Sequence, residues 1–138
     1  MSFTTVTAWS NRWPMLLLGG SYERGGHSAG FFQEADQLTP LRPFAKYAER
    51  VERIERLPIY IAEAVKKSLQ GTPGPSYLDL PGDVIAGRVD EDAVEWVPRV
   101  PDPKRVLADP QDVEAAIAAL KTADQPLIVI GKGVSYSR

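Results

Sequence analysis

His27 is the sequence's one histidine, so any Ser-His-Asp triad would have to use it as the base. It sits in a Gly- and Ser-rich stretch, Gly20 to Gly30, with no partner evident from spacing. A lone loop histidine of this kind reads as a surface residue rather than a catalyst. Zinc sites built on histidine need several ligands, and there is no second one to supply them. Cysteine is absent, which removes disulfides, thiolate metal sites and a cysteine nucleophile.

The remaining chemistry-bearing side chains are carboxylates, bases and a glycine turn. Glu34, Asp36, Asp79 and Asp83 are expected nearest the ends of strands. In open α/β sheets that is where ligand crevices lie. Such acids more often cap a helix or settle a turn, and the structural role is the favoured expectation here. Lys46, Arg50, Arg53 and Arg56 form a local basic run, read as a solvated face, with a phosphate-bearing ligand as the sharper alternative. Gly131-Lys-Gly133 follows an apolar run as a dinucleotide fingerprint should, but the third glycine would fall at Tyr136, so the match is incomplete. A turn of this kind still brings backbone N–H groups close to a bound phosphate.

These residues need elements to hold them. Met15 to Leu18, closed by Gly19-Gly20, reads as a strand buried on both faces. Arg56 to Gln70 reads as a helix, with Pro58 in its first turn, Ile61, Val65 and Leu69 on its apolar face, and Gly71 as its stop. Ser76 to Leu80 reads as the next strand, ended by Pro81-Gly82. Phe31 to Arg42 carries no clear pattern. Ala86 to Asp109 holds Pro98, Pro101 and Pro103 with little periodicity, the composition of an inter-domain linker. Asp109-Pro110 then gives a cap and first turn for a helix bearing Val113, Ile117 and Leu120, and Leu127 to Ile130 reads as one more buried strand. Strand, helix and strand joined by tight turns indicate the α/β class. Hydrophobic residues make up 43% and charged residues 25%, as in ordinary globular proteins. A net charge of −2 gives no reason to expect nucleic acid, and no apolar run approaches the length of a membrane helix.

Four segments in order carry a resemblance: Trp13-Pro-Met-Leu-Leu-Leu-Gly-Gly-Ser21, Phe32-Gln-Glu34, Gly71-Thr-Pro-Gly-Pro-Ser-Tyr-Leu-Asp-Leu-Pro81 and Gln125-Pro-Leu-Ile-Val-Ile-Gly-Lys-Gly133. Together they resemble the thiamine-diphosphate-dependent enzymes related to acetolactate synthase, most of all the 2-hydroxyacyl-CoA lyases and their relative oxalyl-CoA decarboxylase. The resemblance implies the C-terminal half of a pyrimidine-binding parallel-sheet domain over 1–85, a linker over 86–108 and the start of a Rossmann-like central domain over 109–138. It implies thiamine diphosphate and Mg²⁺ as cofactors, and cleavage of the C1–C2 bond of a 2-hydroxyacyl-CoA to formyl-CoA and an aldehyde.

On the same resemblance, Phe32 and Gln33 match an aromatic-plus-polar pair that faces the active site. In the oxalyl-CoA branch that pair is tyrosine and glutamate, so Gln33 points to the lyase side. Gly131 and Gly133 match a turn approaching the nucleotide of CoA. Thr72 stands where the decarboxylase branch has an arginine, which removes one phosphate contact. The family's activating glutamate precedes the Trp-Pro strand, yet none of the 12 residues before Trp13 is acidic, and the metal-binding motif belongs to the third domain. The 138-residue polypeptide alone is therefore expected to be inactive. Implied partners are an acyl-CoA substrate and a second copy or a full-length homologous subunit, with neither nucleic acid nor membrane. The implied setting is peroxisomal fatty-acid alpha-oxidation, with the cytoplasm as the alternative. The alternatives are an acetolactate-synthase- or oxalyl-CoA-decarboxylase-like enzyme fragment, a non-catalytic interaction module that pairs with full-length subunits, and a small nucleotide-binding α/β protein.

Overall fold

The computed structural model describes residues 3–104 and 106–136, which pack as two units dividing between Pro103 and Lys104. In the first unit the elements run α1 (Phe3–Asn11), β1 (Met15–Ser21), α2 (Leu38–Leu41), β2 (Tyr47–Arg50), α3 (Leu57–Leu69), β3 (Pro75–Pro81) and α4 (Gly82–Ala86). The strands form one parallel sheet in the order β1-β3-β2. The α/β reading of the sequence is thus borne out.

The sheet is organised around β3, the central strand, which is buried at every position but Leu80. Successive side chains of a strand point to opposite faces. Leu78 therefore joins Val51, Ala64 and Val84 on one face, with Leu16, Ile54 and Ile61 packed around them. Tyr77 joins Leu41 and Ala48 on the other, with Leu17 and Leu38 alongside. Helix α3 covers the first face, and Ala64 and Ser68 are its buried positions. Pro58 stands in its first turn, and Lys66 and Lys67 close its C-terminal end, where cations complement the helix dipole. Gly71 follows with φ +62°, the left-handed conformation that stops a helix. The expected helix and the two expected strands of this unit are all present, each within a few residues of its predicted bounds.

Four elements of this unit were not anticipated from the sequence, the short helices α2 and α4 among them. Helix α1 is made of Thr-, Val- and Trp-bearing sequence with low helix propensity, and it packs against β3 with Thr5 and Ala8 buried. Strand β2 is four residues long and half polar, so no alternation could mark it. After α4, the described residues of the proline-rich stretch have no regular structure beyond a 3₁₀ turn, Glu91–Ala93. Its first part nevertheless lies against the start of α3: Glu95 N–H donates to Glu55 O at 2.8 Å, and Arg56 Nε lies 3.6 Å from Glu95 Oε2.

In the second unit α5 (Pro110–Thr122) begins as the sequence suggests, with the Asp109 carboxylate accepting from the Gln111 N–H at 2.8 Å and Pro110 opening the first turn. Leu127 to Ile130 is a correction. These residues form no strand, and all four side chains are exposed. A strand exists only through its ladder partners, and the described residues of this unit offer none.

Gly19 allows the closest approach within the sheet. A Cβ there would lie within 2.9 Å of Tyr77 Cε2 and Cζ, and the Tyr77 ring is fully buried. Gly19→Ala is expected to lower the unfolding free energy by about 1–3 kcal/mol, the usual cost of overpacking. Urea denaturation followed by circular dichroism measures it.

Candidate functional site

The carboxyl ends of three parallel strands converge in the first unit: Ser21 ends β1, Arg50 ends β2, and Asp79 pairs in register with both Arg50 and Gly19. Beside them opens a polar cavity of about 400 Å³, walled by Tyr22, Glu34, Gln37, Arg50 and Asp79 and edged by His27 and Asp36. A second, larger recess of about 540 Å³ lies between the start of α3 and the proline-rich stretch, lined almost wholly by apolar groups such as Leu57, Ile61 and Trp96. Only the first carries convergent polar groups, the arrangement that chemistry needs.

Asp79 is the deepest of these groups, with its side chain 6% exposed. Arg50 Nε lies 3.3 Å from Asp79 Oδ2, with the arginine side chain 22% exposed. The same guanidinium donates through Nη2 to Tyr22 O at 3.0 Å and to Ser21 Oγ at 3.5 Å, and stacks 4.9 Å from the centroid of the Tyr22 ring. Arg50 is therefore not part of a solvated face, which corrects the sequence reading for this member of the basic run. Asp79 lines the cavity, and its buried Oδ1 has no hydrogen-bond partner among the described residues. An acceptor so placed suits an N–H or O–H donor on a ligand.

The other acids take structural roles, as expected. Asp36 accepts the amides of Leu38 and Thr39 at 3.1 and 3.0 Å and so starts α2. Its pKa lies below the usual value because Thr39 hydrogen-bonds the carboxylate through both side chain and backbone. Asp83 opens α4 and receives Arg24, through the backbone N–H at 3.2 Å and Nε at 2.6 Å. That hydrogen bonding holds its carboxyl below the ordinary range and raises Arg24 above its own. Arg24 also reaches the carbonyl of Glu52. Gln37 ties the far end of the loop down, donating to Gly20 O at 2.8 Å and accepting from the Tyr77 hydroxyl at 3.0 Å. Burial pushes Tyr77 up to about 12.

Glu34 turns inward upon its own loop. Its carboxylate accepts backbone N–H groups from Ser28, from Gly30 at 2.7 Å and from Phe31 at 3.1 Å. His27 is exposed, with Nδ1 hydrogen-bonded to the Tyr22 hydroxyl at 3.1 Å and 3.9 Å from Glu34 Oε1. Phe32 is 87% exposed and Gln33 takes a left-handed φ of +62°. Both stand in the loop whose next residues, Glu34 and Ala35, line the polar cavity, though neither forms its wall. Gly131 and Gly133 lie in the second unit, where Val134 N–H donates to Gly131 O at 3.3 Å and a 3₁₀ turn covers Lys132–Tyr136. Among the described residues no group of three or more acids and histidines is placed to hold a metal ion, and no helix is long and apolar enough to cross a membrane.

Tyr22, Arg24 and Gln37 were not singled out from the sequence. The available signal was position: Ser21 and Tyr22 follow directly on a buried strand, at the edge where parallel sheets bind ligands.

No protein-family model matches the chain. Among known proteins it is 36% identical over 127 residues to 2-hydroxyacyl-CoA lyase 1 of Homo sapiens, covering 92% of this chain and 22% of that protein. It is 38% identical over 132 residues to oxalyl-CoA decarboxylase of Escherichia coli K12, covering 93% and 23%. The 2-hydroxyacyl-CoA lyase of Arabidopsis thaliana is 33% identical over 136 residues, covering 95% and 24%. The chain thus spans about a quarter or less of the length of these relatives. The resemblance carried by the four sequence segments is upheld, and it extends over most of the chain.

The Arg50–Asp79 contact gives a direct test of how the site is held. Arg50→Met keeps the stem beside Tyr22 but leaves a buried carboxylate without its cation, which is expected to cost about 2 kcal/mol of stability. Adding Asp79→Asn is expected to recover most of that loss. A double-mutant cycle by urea denaturation measures the coupling.

Proposed function

We propose that this chain, homologous along most of its length to 2-hydroxyacyl-CoA lyases and oxalyl-CoA decarboxylase, serves as the corresponding segment of a thiamine-diphosphate-dependent carbon–carbon lyase. In this reading residues 1–85 are the second half of a pyrimidine-binding domain, 86–108 a linker and 109–138 the opening of a central domain. The reaction breaks the C1–C2 bond of a 2-hydroxyacyl-CoA. The 2-hydroxyl proton is lost as C2 becomes an aldehyde, the bonding pair stays with C1, and C1 takes up a proton to give formyl-CoA. No external oxidant or reductant is needed.

The observation that carries the reading is the loop from Tyr22 to Gln37. It stands at the carboxyl ends of the parallel strands, where the ligand crevice of an open α/β sheet lies, and Phe32 and Gln33 directly precede the cavity-lining Glu34 and Ala35 in it. Thiamine diphosphate, when bound, supplies the electron sink that accepts the pair left on C1. The fit of this chain to that group is partial: Asp79 Oδ1 offers a buried acceptor, whereas the described residues assemble no site for Mg²⁺. The work of the chain itself is placement. Phe32 offers an apolar surface for the acyl chain. The Gln33 carboxamide donates a hydrogen bond to the reacting oxygen without competing for its proton. Gly131 and Gly133 let the backbone approach the nucleotide of CoA. Assembly with a second subunit and a peroxisomal setting follow from the same reading.

The test is a chimera in which the matched 127-residue segment replaces its counterpart in the human relative. Formyl-CoA release from a 2-hydroxyacyl-CoA, without decarboxylation of oxalyl-CoA, is the expected result. Gln33→Ala in the chimera is expected to lower kcat about 10- to 100-fold with little change in KM. A folded chimera that acts only on oxalyl-CoA, or on neither substrate, overturns the lyase reading. The 138-residue polypeptide alone is expected to give no cleavage, and cofactor-dependent turnover by it would contradict this account.

A further inference from the structure

The segment from His27 to Glu34 contains three residues in the left-handed region: Ser28 at φ +65°, Gly30 at +75° and Gln33 at +62°. Two of the three are not glycine, and a left-handed backbone is unfavourable for such residues unless something holds it. The loop does little for itself. Ala29 N–H donates to Gly26 O at 3.2 Å, Glu34 N–H to Phe31 O at 3.1 Å and Ala35 N–H to Gln33 O at 2.9 Å. The amides of Ser28, Gly30 and Phe31 all turn to one place, the Glu34 carboxylate, whose side chain is only 17% exposed.

A ring of backbone N–H groups around an anion is the arrangement that elsewhere cradles phosphate. Here the concavity is already filled by a side chain of the same loop. Two consequences follow. First, the amides of Ser28, Gly30 and Phe31 are engaged by Glu34 and do not cradle a phosphate. Second, Glu34 is poorly suited to act as an acid or base. Amide donors stabilise its charged form and hold its pKa below the ordinary glutamate value, with Ser28 the largest cause and His27 adding to the effect.

We infer that Glu34 is a positioning residue: by gathering the amides of Ser28, Gly30 and Phe31 it fixes the backbone that presents Phe32 and Gln33 beside the polar cavity. The functional half of this inference rests on the lyase reading of that pair. The structural half does not. The other charged or titratable groups that face Glu34 are His27, with Nδ1 at 3.9 Å, and, around the shared cavity, Tyr22, Asp36, Arg50 and Asp79.

Glu34→Gln preserves shape but turns one acceptor oxygen into a donor aimed at donors. Amide hydrogen exchange by NMR on the full 138-residue chain reads the result. The Ser28, Gly30 and Phe31 amides are expected to be protected in the unmodified chain and to exchange at least about tenfold faster in the variant, while the Leu78 amide in β3 is unchanged. Unaltered exchange at those three amides, with the sheet intact, overturns the proposal. Should the variant also loosen β3, a pH titration of the unmodified chain decides. The three amide shifts are expected to move together with one midpoint below the usual glutamate value. Stability contributed by the loop is then present above the ordinary glutamate pKa and lost as pH falls through that lower midpoint. A midpoint at the ordinary value overturns the proposal.

In the active chimera, E34Q is expected to lower kcat about tenfold or more with KM little changed, as for a displaced catalytic group. Loosened amides with an unchanged kcat would refute the positioning role alone. An inactive parent chimera would refute the lyase reading and leave the exchange result standing.

Discussion

The carboxyl end of the sheet depends on one nearly buried acid. Asp79 sits in the central strand, and a carboxylate there is tolerable only with a cation beside it. Arg50 supplies that cation from the last residue of the neighbouring strand, 3.3 Å away. Having reached inward, the guanidinium also hydrogen-bonds the Tyr22 carbonyl and stacks on the Tyr22 ring, where the chain leaves β1. One side chain thereby connects all three strands at the edge where the candidate site opens. The short strand β2 exists to deliver it. Tyr47 and Ala48 contribute to the core on the two faces of the sheet, and the register of β2 against β3 sets Arg50 opposite Asp79.

The loop from Tyr22 to Gln37 is then pinned at intervals. Arg24 meets Asp83 at the start of α4, and Gln37 bridges Gly20 and Tyr77. Between these anchors the chain has no regular structure to rely on, and a carboxylate organises it instead. Polar pins suit a loop that must stay at the surface and still hold one shape. Each is a directional contact that requires no apolar burial, so the aromatic side chain of Phe32 can remain exposed.

How much of this was legible in the sequence follows from the range of each interaction. Helix α3 and strands β1 and β3 announce themselves through apolar spacing, proline and glycine, all of which act within a few residues. Asp36 was rightly expected to settle an element end, because capping is also local, whereas Asp83 is held by Arg24 from 59 positions away. Arg50 was misread because a charged residue in a charged run looks solvated, and only the fold brings Asp79 to it from 29 positions away. Strand β2 was missed for the same reason, since its reason to be a strand lies in β3. Leu127 to Ile130 failed in the opposite sense. The local signal for a strand is strong, but the ladder that would realise it is a non-local property, and the described residues of the unit that holds this segment provide no partner.

Glu34 shows what the sequence can and cannot separate. From spacing alone it was one of four carboxylates near strand ends, and a catalytic acid there was conceivable. The three amides decide otherwise, because a group whose charged form is so well hydrogen-bonded gives up its readiness to exchange a proton. The adjacent Gln33 has no charge to trade and only a hydrogen bond to offer. On the proposed lyase reading, the 2-hydroxyl oxygen that loses its proton is to be held without a nearby acid returning that proton. An amide beside a locked carboxylate meets that need, whereas two free carboxylates side by side would raise each other's pKa and so favour protonation. The pairing of a glutamine that can donate with a glutamate that cannot readily accept is therefore a coherent chemical arrangement. It ties the left-handed backbone at Gln33 to the carboxylate one residue later.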